Sequence, residues 1–389
     1  MIDRTSLAAD GPVLLTGGAG FVGCNVAEAF LAAGAPVRVL DDLSRPGVEQ
    51  NLRWLRRTYG SGLEFVRADV RDAEAVRSAV RGCRRVYHFA AQVAVTTSLT
   101  GPVADFETNA RGTLNVLEAV RAEQDRGRAV PLLFTSTNKV YGDLGGVETR
   151  REGDRYRPAD PDLARRGVSE GQPLDFHSPY GCSKGAADQY VLDYARTYGL
   201  PATVFRMSCI YGPHQFGTED QGWVAHFART ALRGETITFY GDGRQVRDLL
   251  HVSDLARAMR AALDEPERTA GRAFNVGGGP ANAVSLRQVV ARLGDLAGEE
   301  TPTAADAWRT GDQRWYVSDT TALREALGWA PRVEWRDGLA DLYRWLGEHV
   351  ETDRRPAAEA PPRTAATARR PDAAAHVPAA TAVPAGAAS

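Results

Sequence analysis

Two residues able to do proton chemistry stand four apart in the run from Ser178 to Lys184: Tyr180 and Lys184. On a helix that spacing places them a turn apart on one face. An ammonium held there favours the phenolate, and so predicts a Tyr180 pKa below its ordinary value of about 10. Such a phenolate would take a proton from a hydroxyl near neutral pH. The run continues with helical composition to Ala195. An amphipathic helix with a surface tyrosine and lysine would show the same spacing, so the elements around the pair must decide.

The first of these elements is a short apolar run, Pro12 to Thr16, which reads as a buried parallel strand. Gly17, Gly20 and Gly23 follow it, with Phe21 and Val22 between the last two, and helical composition begins at Cys24. A glycine turn between strand and helix lets backbone approach a pyrophosphate and seats it on the positive helix end. A second strand, Pro36 to Leu40, ends in Asp41 and Asp42. An acid about 20 positions after the glycine turn is placed for adenosine ribose hydroxyls and would repel a 2′-phosphate, which predicts NAD as cofactor. A strand-end cap is the other reading of Asp41.

Further strands are predicted at 63–67, leading to Asp69 and Val70, at 84–89, leading to Ala90, Ala91 and Gln92, at 131–135, leading to Thr137, and at 202–206. A helix is predicted between them from Ala104 to Val120, with Asn109 inside it. Alternating strands and helices predict an α/β fold with a doubly wound, Rossmann-like parallel sheet. Ligands bind such sheets at the carboxyl ends of the strands, where these residues gather. After Met207 the alternation breaks. Helices are expected at 222–232, 254–263, 284–296, 320–327 and 335–349, with a strand at 236–240. The domains expected are therefore 10–206 for NAD, interleaved with 207–350 for the substrate, and 353–389 as a disordered tail rich in alanine and proline.

Composition narrows the classes. The 389 residues are 43% hydrophobic and 25% charged with a formal net charge of −2, ordinary for a globular enzyme and without a basic field for nucleic acid. The four cysteines are scattered and the seven histidines show no metal-ligand spacing, so no metal and no disulfide framework is expected. No apolar stretch reaches the roughly 18 residues of a membrane span, and no signal-peptide run opens the chain. A cytoplasmic enzyme without membrane contact is the expectation.

With the glycine turn upstream, Tyr180 and Lys184 resemble the active site of the extended short-chain dehydrogenase/reductase family, which includes nucleotide-sugar epimerases and dehydratases. The resemblance runs from Val13 to His349. It implies Thr137 as the third catalytic residue, hydrogen-bonded to the substrate oxygen, and Lys184 as a ligand of the nicotinamide ribose. It implies cofactor contacts at Gly17, Gly20, Phe21, Val22, Gly23, Asp41, Asp42, Asp69, Val70, Ala90, Ala91, Gln92 and Asn109, besides Tyr180 and Lys184. For the substrate it implies Thr97, Asn138, Lys139 and Gln215.

The family's 4,6-dehydratases carry an Asp–Glu pair after the catalytic threonine, whereas this chain has Asn138 and Lys139. That argues against dehydration. The longer runs 136–144 and 174–190, with 92–98 and 220–224, resemble the branch of the family that inverts C2 of CDP-hexoses. His214 stands where the family commonly has an arginine. Arg247 is a candidate for the substrate pyrophosphate, with an ion pair to Asp248 as its alternative, and surface exposure is the alternative for Lys139. The resemblance further implies a nucleotide-sugar substrate and a homo-oligomer, dimer or tetramer. Other readings left open are another nucleotide-sugar epimerase, at C4 of a UDP-sugar or C2 of another CDP-sugar, and a non-catalytic NAD-sensing protein.

Overall fold

The computed structural model describes residues 11–309 and 312–349, so the Ala/Pro-rich tail expected at 353–389 lies outside the described residues. Seven strands form the main sheet: β1 Val13–Thr16, β2 Val37–Asp41, β3 Leu63–Arg67, β4 Arg85–His88, β5 Leu132–Thr137, β6 Ala202–Met207 and β7 Ala273–Val276. Their spatial order is β3-β2-β1-β4-β5-β6-β7, and every neighbouring pair is parallel. The order reverses direction beside β1, so the groove at the carboxyl ends of β1 and β4 is the place where such a sheet binds a ligand.

Buried on both faces, the central strands read as apolar runs. Helices Phe21–Leu31, Val48–Tyr59 and Val252–Asp264 supply one covering layer, and Ala73–Val80, Gly112–Gln124 and Ser178–Tyr198 the other. Leu14, Leu15, Val39, Val86, Leu132 and Val204 are fully buried between them, each contributing about 1.5–3 kcal/mol by leaving water. A third core gathers Val224, Phe227, Ile237, Val284, Leu293, Trp335 and Leu342 in the part that follows β6. The two parts interleave, because β7 and helix Val252–Asp264 return to the main sheet from beyond residue 206.

Two elements differ from the sequence expectation. The helix expected at 284–296 starts at Leu286, because Ala283–Ser285 pairs antiparallel with Val246–His251 and Ser285 then closes a capping box with Gln288. The helix expected from Ala104 to Val120 divides into Pro102–Phe106 and Gly112–Gln124 around a π turn, Glu107–Arg111. Such turns cluster at functional sites, and this one carries Asn109.

Candidate active site

The helix that carries Tyr180 and Lys184, Ser178–Tyr198, begins with Pro179 in its first turn and ends on Gly199 in the left-handed region. Its inner face buries Tyr180, Ser183, Lys184 and Asp188. Thr137 ends β5 beside it and hydrogen-bonds the Tyr180 hydroxyl. Lys184 Nζ donates to the Thr135 carbonyl at 2.6 Å and lies 4.1 Å from the Phe134 ring centroid. The three residues that the sequence places in catalysis therefore meet at the end of β5.

The electrostatics correct one expectation. Burial pushes the Tyr180 hydroxyl up to about 12; the Thr137 hydrogen bond lowers it and the Asp105 charge raises it further. Burial also brings Lys184 down to about 7, against the charges of Asp188 and Asp105. The ammonium expected to ionise the tyrosine is thus itself poised to lose its proton, and it is turned toward a backbone carbonyl. Desolvation outweighs pairing at both groups.

Beneath the helix runs a network of which the sequence pointed to Asn109 and Gln92, as cofactor contacts, but not to Ser183 and Asp105. Asn109 Oδ1 accepts from the Gln92 amide at 2.8 Å, and its Nδ2 donates to Gln92 O at 3.0 Å and to Ser183 Oγ at 3.0 Å. Ser183 Oγ also donates to buried Asp105. The π turn aims Asn109 at these partners and so locks the end of β4 to helix Ser178–Tyr198. Ser98 Oγ accepts from the Tyr180 amide at 3.2 Å, while Thr97 stands exposed on the short helix Val95–Thr100. Serines and amides in mid-helix gave no periodic signal that could have exposed this network.

On the cofactor side, Gly17 adopts φ +67°, and a Cβ there would meet the Ala90 amide nitrogen at 2.7 Å. Only glycine lets β1 and β4 release their chains so close together. Gly20 caps helix Phe21–Leu31, whose first turn presents the amides of Phe21, Val22 and Gly23 without intrahelical acceptors. Asp41 is buried; Oδ2 accepts from Ala19 N at 3.0 Å and Oδ1 from Leu43 N at 2.9 Å. Burial raises its pKa and those two amides lower it. Each oxygen keeps acceptor capacity for a ribose hydroxyl. Asp42 is exposed and turns to Ser44 (2.7 Å). Asp69 pairs with Arg71 at 2.6 Å, while Val70 is buried and Ala90 to Gln92 line the end of β4. A glycine cradle, a helix start and a buried acid at neighbouring strand ends fit a dinucleotide with a free 2′-hydroxyl.

Of the residues expected to meet the substrate, Asn138 adjoins Thr137 and Lys139 feels the charge of Arg247. Asn138 Nδ2 donates to Gln313 at 3.2 Å, and buried Gln313 donates to the Gly142 carbonyl at 2.6 Å. Lys139 is half-buried rather than on the open surface, and burial and then the Arg247 charge bring it down to about 8, with Asp312 opposing. Arg247 pairs with Asp312 at 2.7 Å. Asp248, the partner considered for it from sequence, instead accepts from the amides of Gly279 and Ser318 at 3.0 and 3.1 Å. Buried Gln215 donates to Ile210 O at 3.2 Å and leaves Oε1 without a partner. Asp312 and Gln313 were missed because nothing in their spacing ties them to residues some 65–175 positions earlier. Among the described residues, exposed Asp143, Asp175 and His177 bring ligand atoms within 4.8 Å of one another, a grouping that the histidine spacing had not signalled.

The fold and the glycine cradle fit a dinucleotide-dependent enzyme, and comparison with known proteins gives its family. The profile of the NAD dependent epimerase/dehydratase family matches residues 13–277. The chain is 42% identical to CDP-paratose 2-epimerase of Salmonella typhi over 340 residues, 86% of this chain and 98% of that one. It is 33% identical to dTDP-glucose 4,6-dehydratase of Xanthomonas campestris pv. campestris (strain B100) over 351 residues, 85% and 92% of the two chains. Among solved structures, the Thermus thermophilus UDP-glucose 4-epimerase complex with NAD superposes with a TM-score of 0.71 at 34% identity, covering 87% of this chain and 100% of that one. The chain belongs to the NAD-dependent epimerase/dehydratase family, within the short-chain dehydrogenase/reductases. It is a nucleotide-sugar epimerase that uses NAD.

Proposed function

We propose that this enzyme inverts C2 of a CDP-hexose, converting CDP-paratose to CDP-tyvelose, through a 2-keto sugar formed and reduced in place. One observation carries the reading: beside Thr137 and Tyr180 the cleft holds the amide of Asn138 and the amine of Lys139, where an eliminating enzyme of the family has carboxylic acids. The similarity to CDP-paratose 2-epimerase supports the choice of sugar.

Tyr180 takes the proton of the C2 hydroxyl and returns it after the sugar has turned its other face. Thr137 holds that oxygen, and burial keeps water from competing. Gly17, Gly20, Phe21, Val22 and Gly23 would hold the pyrophosphate of NAD, Asp41 its adenosine ribose and Lys184 its nicotinamide ribose. When bound, the cofactor would supply hydride acceptance and return. The positive charge of its oxidised ring would favour the phenolate and so oppose the rise that burial imposes on Tyr180. Lys139 and Arg247, with Asp312 beside them, suit the diphosphate and the sugar hydroxyls.

Leu99, Val103, Phe106 and Tyr190 are large, exposed apolar or aromatic side chains on helices that pack together, which supports the homo-oligomer. No helix of the described residues is long and apolar enough to cross a membrane. All four cysteines are free, which supports a reducing cytoplasm. The test is incubation with CDP-paratose, CDP-glucose and UDP-glucose in deuterated water. Inversion at C2 of the CDP-sugar without deuterium at C2 is the expected outcome. Solvent deuterium at C2 would instead indicate deprotonation at carbon, and inversion of the UDP-sugar alone, at C4, would replace the reading.

A further inference from the structure

Buried Asn51, on helix Val48–Tyr59, connects two loops from opposite halves of the chain. Its Nδ2 donates to the Ala19 carbonyl in the glycine turn at 3.1 Å and to the His214 carbonyl at 3.2 Å. Its Oδ1 lies 3.2 Å from His214 Nδ1; an amide oxygen only accepts, so Nδ1 carries the hydrogen. The buried His214 ring packs on Trp54, with centroids 4.2 Å apart, and on Trp345 of the last helix, at 5.0 Å. Asn25, in the first helix, donates to Pro213 O at 2.9 Å.

Two further contacts join the same two segments. Arg45 Nη2 donates to Gln221 at 3.3 Å, and its charge acts on both Asp41 and Tyr180, the two ends of the cofactor site. Gly47, at φ +86°, sits so close beneath Phe216 that a Cβ would lie 2.5 Å from the ring. His214 and Leu43 both hold non-glycine backbone at positive φ, +67° and +60°. Such conformations persist only where surroundings over-determine them. Burial keeps His214 neutral, with a pKa near 4, so the connection does not titrate in the physiological range.

We propose that Asn51 and His214 form a strap across the cofactor groove, which opens to admit or release NAD and stays closed through turnover. The strap joins the glycine turn to the loop that carries Gln215, so opening one side of the cleft loosens the other. A redox-neutral cycle gains from this, because the same cofactor then serves successive substrates. That benefit rests on the epimerase reading, but the strap is tested without any sugar.

In the full-length holoenzyme, exchange of bound NAD against labelled NAD gives the release rate, and equilibrium titration gives the affinity. For His214→Asn, in which asparagine tolerates the positive φ, and for Asn51→Leu, exchange is expected at least tenfold faster. The dissociation constant should change less than threefold, because a gate speeds entry and exit together. Exchange within twofold of wild type in a folded variant would overturn the strap. Affinity weakening by the same factor as exchange accelerates would reduce the two residues to ordinary site packing, and would overturn it too. Should Asn51→Leu not fold by circular dichroism, His214→Asn decides alone.

Discussion

Two buried cations sit against the same helix and have opposite fates. Arg206 on β6 meets Asp188 with two hydrogen bonds of 2.9 Å, and Tyr141 Oη lies 3.1 Å from its other nitrogen. Burial alone would lower its pKa, but the bonds and charge of Asp188 outweigh burial and raise it. Lys184, one turn before Asp188, meets a carbonyl and an aromatic ring, and burial brings it down to about 7. Full pairing makes a fixed charge that fastens helix to sheet. Incomplete pairing leaves a proton that can move. The fold fastens itself with the first and leaves the second able to titrate, one helical turn apart.

The contrast can be broken from either side. The largest effect is expected at Tyr180→Phe, which removes the proton acceptor. Turnover should fall by about 10²–10⁴ with NAD binding retained, measured by steady-state assay and cofactor titration, and near-normal turnover would sink the catalytic assignment. Next comes Asp188→Ala, which strands the Arg206 charge. Urea denaturation should show a loss of about 3–5 kcal/mol, and a loss below about 1 kcal/mol would mean that the pair is ornamental.

The third test uses pH. The folded pKa of Lys184 lies near 7 and its unfolded value near 10.5, so between these the unfolded chain binds more protons and stability rises with pH. Wild type should gain on Lys184→Met across pH 7 to 9, by up to about 1.4 kcal/mol per pH unit. A flat difference would show that Lys184 stays charged. The smallest effect is expected at Tyr141→Phe. This deletes the hydroxyl between Arg206 and Asn275, at 3.1 and 2.7 Å, and should cost about 1–2 kcal/mol in the same denaturation assay, leaving kcat unchanged.

The part of the cleft built on β1 to β5 was legible in sequence because local rules govern it. A glycine turn, a strand-end acid and a tyrosine–lysine spacing are contiguous motifs, and the sheet puts strand ends together by topology alone. Tyr180 and Lys184 share the buried helix face that their spacing predicted, and Thr137, implied by the family resemblance, hydrogen-bonds Tyr180. What stayed hidden depends on non-local pairing. Arg247 finds Asp312 rather than its neighbour Asp248, because a strand turns adjacent side chains to opposite faces. Ser285 caps a helix that β-pairing had shortened. The lowered tyrosine pKa was expected from charge alone, and burial, which sequence spacing does not reveal, reversed it.

The seventh strand has a consequence for how the molecule is made. β7 is the outer neighbour of β6, yet it comes some 65 residues later, after strands and helices of the third core. A ribosome therefore releases β6 with one edge bare, and that edge stays open to other chains until Val276 has emerged. A fragment ending at residue 206 would carry the glycine turn, Thr137, Tyr180 and Lys184 and still lack its own closing strand. Those residues are encoded early, but the sheet that bears them is completed late.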